Sequence, residues 1–422
     1  MGISSAFYSG VSGLNTNSAA MSVIGNNLAN TNTVGFKGSR HVFADLLSGS
    51  INGSGGASQV GRGVGVSQID QVFSQGTFES TESNLDLAIE GDGFFILKEP
   101  GAETVYYSRA GAFRFDENGF LVNPEGLNVQ GKKFGADGQI AAGDPEGIQV
   151  QNNGLIAGQA TTELKLTTNL SSTSLAIALP FDMNNDATYN YSSSTQVFDS
   201  LGSPHLITTY FIKTGANQWG TAWSAEDNAG NVLQGQFANN LQFTTDGVLV
   251  GTAAVPPVPT KAIIAGADID WGPDTLQTDI EITFNNTQFD SDSVVLSQDQ
   301  NGFAAGSLTG VEIDGEGKVI AFYSNGESTK IAQVVLGKFV NPHGLKTVGS
   351  NLYQASAEAG PPRVGIPDAE LGSIFTNSLE LSNVDMGVEF VRMITVQRGF
   401  QANSKIITTV DELLGELINL KR

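Results

Sequence analysis

A chain of 422 residues exceeds the roughly 250–300 at which one hydrophobic core stops growing, so two or more packed units are expected, and 40% hydrophobic content is enough to build them. The formal net charge of −22, with 43 acidic residues against 21 Lys and Arg, excludes a phosphate-tracking nucleic-acid binder and disfavours an anionic membrane surface. The absence of cysteine removes disulfides, thiolate metal sites and thiol nucleophiles together, while 51 glycines and only 15% charged residues favour turn-rich β structure.

In chain order, residues 1–32 predict a helix with a coiled-coil seam: Phe7, Leu14, Met21 and Leu28 stand seven apart, with Val11 and Ile24 on intermediate turns. The opening MGISSAFYSG has neither a basic n-region nor a long apolar h-region, and no apolar run approaches the ~18 residues of a membrane span. Export, if it occurs, is therefore expected without a cleaved signal peptide, and no membrane insertion is expected. Residues 33–69 read as a linker or extended segment, with the Gly- and Ser-rich stretch 49–66 flexible. Residues 70–149 predict the first part of a β domain, punctuated by Asp116-Glu117-Asn118-Gly119 and Asp137-Gly138, turns that supply positive φ between alternating strands. Residues 150–305 predict a second β domain inserted into the first, because the same hairpin grammar resumes in 306–378 at Ile313-Asp314-Gly315. Residues 379–422 predict a second coiled-coil helix, with Met386, Met393, Phe400, Ile407 and Leu414 at one heptad position and Val396, Val410 and Leu417 three residues on. Asn17 and Asn403 interrupt the two seams at equivalent places, as single polar residues do when they set register. The fold class is thus mainly β and multidomain, a β domain within a β domain, with α-helical N- and C-terminal arms that form a coiled coil.

Ser382-Asn383-Val384-Asp385 fits a capping box at the start of the last helix, and Lys421 and Arg422 complement the negative end of its dipole. Its interior Gly387, Gly399 and Gly415, like Gly10, Gly13 and Gly25 in the first helix, each cost about 1 kcal/mol relative to Ala. Both ends are therefore expected to be marginal alone and helical only in an assembly. The seam residues Phe7, Leu14, Met21, Ile24, Leu28, Met393, Val396, Phe400, Ile407, Val410, Leu414 and Leu417 are expected to be exposed in the monomer and buried in a polymer. Charge is distributed accordingly: residues 1–69 carry +2, residues 385–422 carry zero, and the stretch between them carries −24. Neutral ends pack densely against copies of themselves, and an acidic middle faces water.

Signals for catalysis are sparse. His41, His205 and His343 form no helical pair, Gly61/Gly63/Gly65 and Gly91/Gly93 complete no phosphate-binding loop, and the acidic pairs Asp116/Asn118 and Asp290/Asp292 lack the bidentate Glu of a calcium loop. No catalytic, cofactor-binding or metal residue is expected, and no cofactor.

The segment LANTNTVGFK, Leu28 to Lys37, resembles the signature of the bacterial flagellar rod and hook axial proteins, and SNVDMGVEF with QRGFQANSKIITTVDELL resembles their C-terminal helix. The residues that carry the likeness are Asn30, Thr31, Thr33, Gly35, Phe36, Lys37, Ser382, Asn383, Asp385, Gln397, Arg398, Gln401 and Asn403. IEGDGFFIL, YSRAGAFRFDENGFLVNPEGLNVQG and FVNPHGLKTVGSNLY look like the family's inner β domain, and the match is nearest to its hook members. Gly399 and Phe400 depart from the pattern, standing where the family more often has Ala and Tyr. The resemblance implies a structural subunit exported unfolded by the flagellar type III apparatus. It implies polymerisation into a short curved tube, the hook, a universal joint between rod and filament. It places the protein outside the cell, in the hook and basal body, with copies of itself, rod proteins, the hook cap and hook–filament junction proteins as partners. The nearest alternative is a distal rod protein; a secreted β-rich adhesin and an acidic extracellular hydrolase follow.

Overall fold

The segment Phe94–Lys98 shows why the middle of the chain is β. Its side chains alternate between two apolar surroundings, Phe95 and Leu97 on one face and Phe94 and Ile96 on the other, and all four are buried. A period of two with both faces covered is what a central strand requires. The computed structural model describes residues 2–47, 49–53, 56–135, 138–150, 154–177, 180–227, 230–238, 240–250, 260–269 and 271–420. The chain divides into two compact units, one of residues 1–152, 311–321 and 329–422, the other of residues 153–310 and 322–328.

In the first unit the antiparallel order runs Ser328–Val334, Asn128–Lys133, Phe94–Lys98, Val105–Ser108, Leu352–Gln354 and Lys346–Gly349. Register is set by pairs such as Gly131 with Val334, Val129 with Leu97, and Tyr107 with Tyr353. One core gathers Leu87, Ile89, Phe95, Leu97, Val129 and Val334. A second, on the opposite face, is aromatic: Phe94, Tyr107, Phe339 and Tyr353, with Phe94 and Tyr353 edge to face at 5.8 Å and Tyr107 and Phe339 at 4.7 Å. This unit also holds the long helices α1 (Gly2–Ala29) and α2 (Met386–Leu420).

The second unit pairs two sheets. In one, Glu163–Ser171 is central, parallel to Ile280–Phe284 and Thr287–Phe289 and antiparallel to Val294–Gln300. In the other, Tyr191–Phe198, Pro204–Gly215 and Gln218–Glu226 form a meander. Their facing side chains, among them Leu164, Leu166, Phe211, Trp219, Ile282 and Phe284, close one core.

Two sequence expectations change in detail. The stretch 49–66 is not a flexible linker. Gly49–Gly53 pairs with Gly56–Val60, and Ser39–Asp45 pairs with Val64–Gln71, so the described strands of this stretch form two antiparallel β pairs. Its small residues let the backbone lie against α1, where the Ser12 hydroxyl accepts from the Val64 N–H at 3.3 Å and a Cβ on Gly63 would fall 2.1 Å from that oxygen. The second change concerns the turns. In Asp314-Gly315-Glu316-Gly317 the left-handed residue is Gly317, at φ 77°, while the Asp314 carboxylate accepts from the N–H groups of Glu316 and Lys318. Asp116 and Gly119 repeat the arrangement, so these are three-residue loops closed by a glycine, and the first carboxylate is occupied by its own backbone.

Candidate assembly surface and its anchor

α1 and α2 lie antiparallel along much of their length. Gly10 faces Ile407, Gly13 faces Asn403, Asn17 faces Gly399, and Ala20 and Ile24 meet Val396 in a small cluster fringed by Met21, Leu28 and Met393. Both ends are thus helical within one chain, which corrects the expectation that they take helix only in an assembly. The glycines explain how. At Gly13 and Gly399 the missing Cβ gives the partner helix room to approach, so the local propensity cost is offset by close contact. The departure at 399 has the same cause, because a Cβ there would stand 3.0 Å from Asn17 Oδ1.

The twelve seam residues accordingly split. Ile24, Val396 and Val410 are already buried in the single chain, and Leu14, Met21, Leu28, Met393 and Ile407 are half-buried, so they do not fit the expectation of exposure in the monomer. Phe7, Phe400 and Leu414 are exposed. The side chain of Leu417, together with Lys421 and Arg422, lies outside the described residues. Sequence reasoning missed a further row on α2. Met386, Phe390 and Ile394, one turn apart, are 54%, 52% and 50% exposed, and Val388 and Val391 beside them are also uncovered. Helical spacing of four was the available signal, masked by a heptad reading that chose the inner face.

α2 begins on Asp385, whose carboxylate accepts from the Val388 N–H at 2.9 Å. The cap therefore sits three residues later than the box that opens on Ser382, whose hydroxyl instead holds the Val384 N–H. Around this start the signature residues converge on a buried anchor. Lys37 Nζ donates to Glu380 Oε1 at 2.6 Å and to the Ser74 carbonyl at 2.9 Å. Glu380 Oε1 also accepts from the Gly76 N–H, and Oε2 from Arg109 at 3.3 Å. Arg109 donates in turn to the Gly91 carbonyl at 2.6 Å and lies 5.1 Å over the Phe94 ring. Burial lowers the pKa of both Lys37 and Arg109, and the Glu380 carboxylate opposes that shift in each.

Gly35, at φ 67°, donates its N–H to the Glu380 carbonyl and packs so tightly on Arg109 and Ala110 that a Cβ would meet backbone at 2.5 Å. Asn383 bridges the Gly38 N–H and the Val72 carbonyl, while Asn27 exchanges two 2.8 Å bonds with Ser39. The turn after α1 is tied locally, by Asn30 to the Asn26 carbonyl, Thr31 to Leu28 and Thr33 to Asn30. Phe36 is half-buried; Gln397, Arg398 and Gln401 are exposed. Arg109, Glu380 and Asn27 were not singled out from sequence, since a buried ion cluster joining positions 37, 109 and 380 has no local pattern. Among the described residues no group of three or more His, Cys, Asp or Glu side chains is arranged to hold a metal ion. Among the described residues no helix is long and apolar enough to cross a membrane.

The two chain ends pair as a helical hairpin, pinned by a buried ion cluster to the β body of the same unit, and comparison with known proteins identifies the class as the axial proteins of the flagellar rod and hook. Family profiles agree: residues 7–37 match "Flagella basal body rod protein", residues 376–420 "Flagellar basal body rod FlgEFG protein C-terminal", residues 88–167 "Flagellar hook protein FlgE/F/G D1 domain", and residues 169–303 "Flagellar basal body protein FlaE D2 domain". The chain is 35% identical over 420 residues to the flagellar hook protein FlgE of Escherichia coli, covering 99% of this chain and 100% of that one. It is 33% identical over 448 residues to FlgE of Borreliella burgdorferi, covering 99% of each. The crystal structure of Helicobacter pylori flagellar hook protein FlgE2 shares the fold, with a TM-score of 0.53 at 14% identity over 72% of this chain and all of that one. This chain belongs to the flagellar hook protein family.

Proposed function

We propose that the chain is a structural subunit of the bacterial flagellar hook, self-assembling through its terminal helices into a curved, flexible tube that transmits torque from rod to filament. The observation that carries this reading is the uncovered apolar row Met386, Phe390 and Ile394 on α2, with Phe400 and Leu414 further along the helix also exposed. Water-facing apolar rows on a helix are covered when neighbouring helices wrap against them, and here the helix pair supplies the unit that neighbours wrap as a coiled coil. The charge pattern supports the layering, with the neutral ends innermost and the −24 of the middle outward. A single repeated subunit makes such a tube through heterologous contacts that do not close into a ring.

Residues 153–310 serve as an outer domain inserted in the inner one, since the chain leaves the first unit at 152 and re-enters it at 311. Bending follows when the helical layer holds while outer domains slide over small polar contacts, which resemble transient interfaces. The subunit reaches its place through the type III apparatus without signal cleavage, and meets rod, hook-cap and junction proteins at the tube's ends. Electron microscopy of purified protein after salt-induced polymerisation tests the reading: tubes are expected, and only monodisperse particles would defeat it. Phe400→Asp, at an exposed position, is expected to abolish tubes while monomer stability stays within ~0.5 kcal/mol. Normal tubes from that variant would contradict the role given to this face.

A further inference from the structure

Gly13 and Asn17 on α1, and Gly399 and Asn403 on α2, repeat one element, a glycine followed by an asparagine one turn later. In the antiparallel pair the two elements meet head to tail. The Asn403 amide covers Gly13, where a Cβ would stand 2.6 Å from Oδ1 and 2.7 Å from Nδ2, and the Asn17 amide covers Gly399. Each asparagine is folded back on its own helix, Asn17 Nδ2 donating to the Gly13 carbonyl at 2.7 Å and Asn403 Nδ2 to the Gly399 carbonyl at 2.9 Å. Each amide therefore covers the opposite glycine while its NH2 group bonds its own helix rather than the partner helix. Attraction across the pair comes from the neighbouring cluster of Ala20, Ile24 and Val396. The asparagines contribute shape.

Slippage shows what that shape selects. Sliding α2 by one turn in one direction brings Asn17 onto Asn403 and Ile407 onto Gly13. Sliding it the other way leaves Gly13 facing Gly399 and puts Asn17 against the Thr395–Val396 turn. Either slip buries an amide against a side chain that has no space for it, whereas apolar seams alone tolerate such slips at small cost. We propose that this reciprocal Gly–Asn clasp sets the register of α1 against α2, and thereby decides which residues of the two helices face neighbouring copies. The second clause rests on the assembly function given above; the first does not.

The cysteine-free chain makes register directly readable by cysteine pairs. Ala20→Cys with Val396→Cys reports the observed register; Ala20→Cys with Phe400→Cys, and with Arg392→Cys, report the two one-turn slips. In dilute monomer only the first pair is expected to cross-link within one chain. In an Asn17→Ala/Asn403→Ala background the helices gain propensity, so the helical signal is expected to melt no lower than in the parent, yet the slipped pairs are expected to cross-link at yields comparable to the first. A purely structural contact predicts the opposite, a lower melting temperature with one register. Gly13→Ala is expected to displace Asn403 and admit the slips, while Gly25→Ala, where a Cβ meets nothing within 4 Å, is expected to leave register unchanged. Cross-linking confined to 20 and 396 in the double-alanine background, or equal effects of Gly13→Ala and Gly25→Ala, would overturn the clasp. Tubes of the double-alanine chain are expected to show mixed curvature in electron micrographs; slipped cross-links with tubes of parental curvature would overturn its link to assembly. Failure of the parent chain itself to form tubes, with the cross-linking pattern intact, would count against the assembly function instead.

Discussion

The helix pair and the β unit of residues 153–310 bury apolar surface in different ways. In the β unit Trp219, Phe211, Leu164 and Leu166 are wholly enclosed, and even the Trp219 indole N–H is satisfied by Gln288 Oε1 at 2.8 Å. Its core is complete within one chain. The helix pair is joined by glycines, asparagines and a few aliphatic residues, while Met386, Val388, Phe390 and Ile394 stay uncovered. Its fixed end is held by the Lys37, Arg109 and Glu380 cluster rather than by apolar bulk. One region is finished on folding; the other leaves an apolar row of α2 in water.

The largest way to break this contrast is Glu380→Ala. Removing the one carboxylate leaves Lys37 and Arg109 buried without a counter-charge, a change expected to cost the first unit about 3–5 kcal/mol. All three tryptophans, Trp219, Trp223 and Trp271, lie in the other unit. Denaturant unfolding followed by helical circular dichroism should therefore shift to lower midpoint while the tryptophan fluorescence transition stays in place. Coincident shifts would mean that the two units unfold as one and that the contrast is not energetic. The converse variant, Leu166→Ala in the sandwich core, is expected to cost about 2–5 kcal/mol seen by tryptophan fluorescence, with the helical transition unmoved.

Legibility from sequence followed the same division. Both helices, the hairpins of the first unit and the β character of the second were readable, because each rests on a local period or on turn residues such as Asp116 and Asp314. The parallel pairing of Glu163–Ser171 with strands more than 100 residues later left no local trace. Neither did the ion cluster, whose members lie at 37, 109 and 380. Gly13 and Gly399 were visible but were assigned the wrong sign, since a propensity scale records what a glycine costs an isolated helix and not what it admits on the opposite side. The heptads at Ile24 and Val396 were read as open to other copies; the partner that covers them is the other end of the same chain.

Alkaline titration gives the finest test, since the two units hold back tyrosine ionisation by different means. In the first, burial raises the pKa of Tyr107 and of Tyr353, the latter against an opposing pull from Arg109. In the second, Tyr189 is pushed up to about 12, first by the bond its hydroxyl donates to Asp186 at 2.8 Å. A raised folded-state pKa means that stability from the neutral phenol is fully present below ~10, where the unfolded group ionises, and is lost as pH climbs through the folded value. Lys37 acts with the opposite sign. Its pKa is lowered, so the unfolded chain holds the extra proton, and stability of the first unit rises with pH up to ~10.5. The helical transition is thus expected to hold or gain midpoint as pH rises towards ~10 and then fall. In ultraviolet difference spectra the phenolate signals of Tyr107 and Tyr353 are expected to appear only with that unfolding, and Tyr107→Phe/Tyr353→Phe should remove their share of the late signal, leaving that of Tyr189, and flatten the fall. Ionisation of both at ~10 with the helices intact would show that the aromatic core under the anchor admits water.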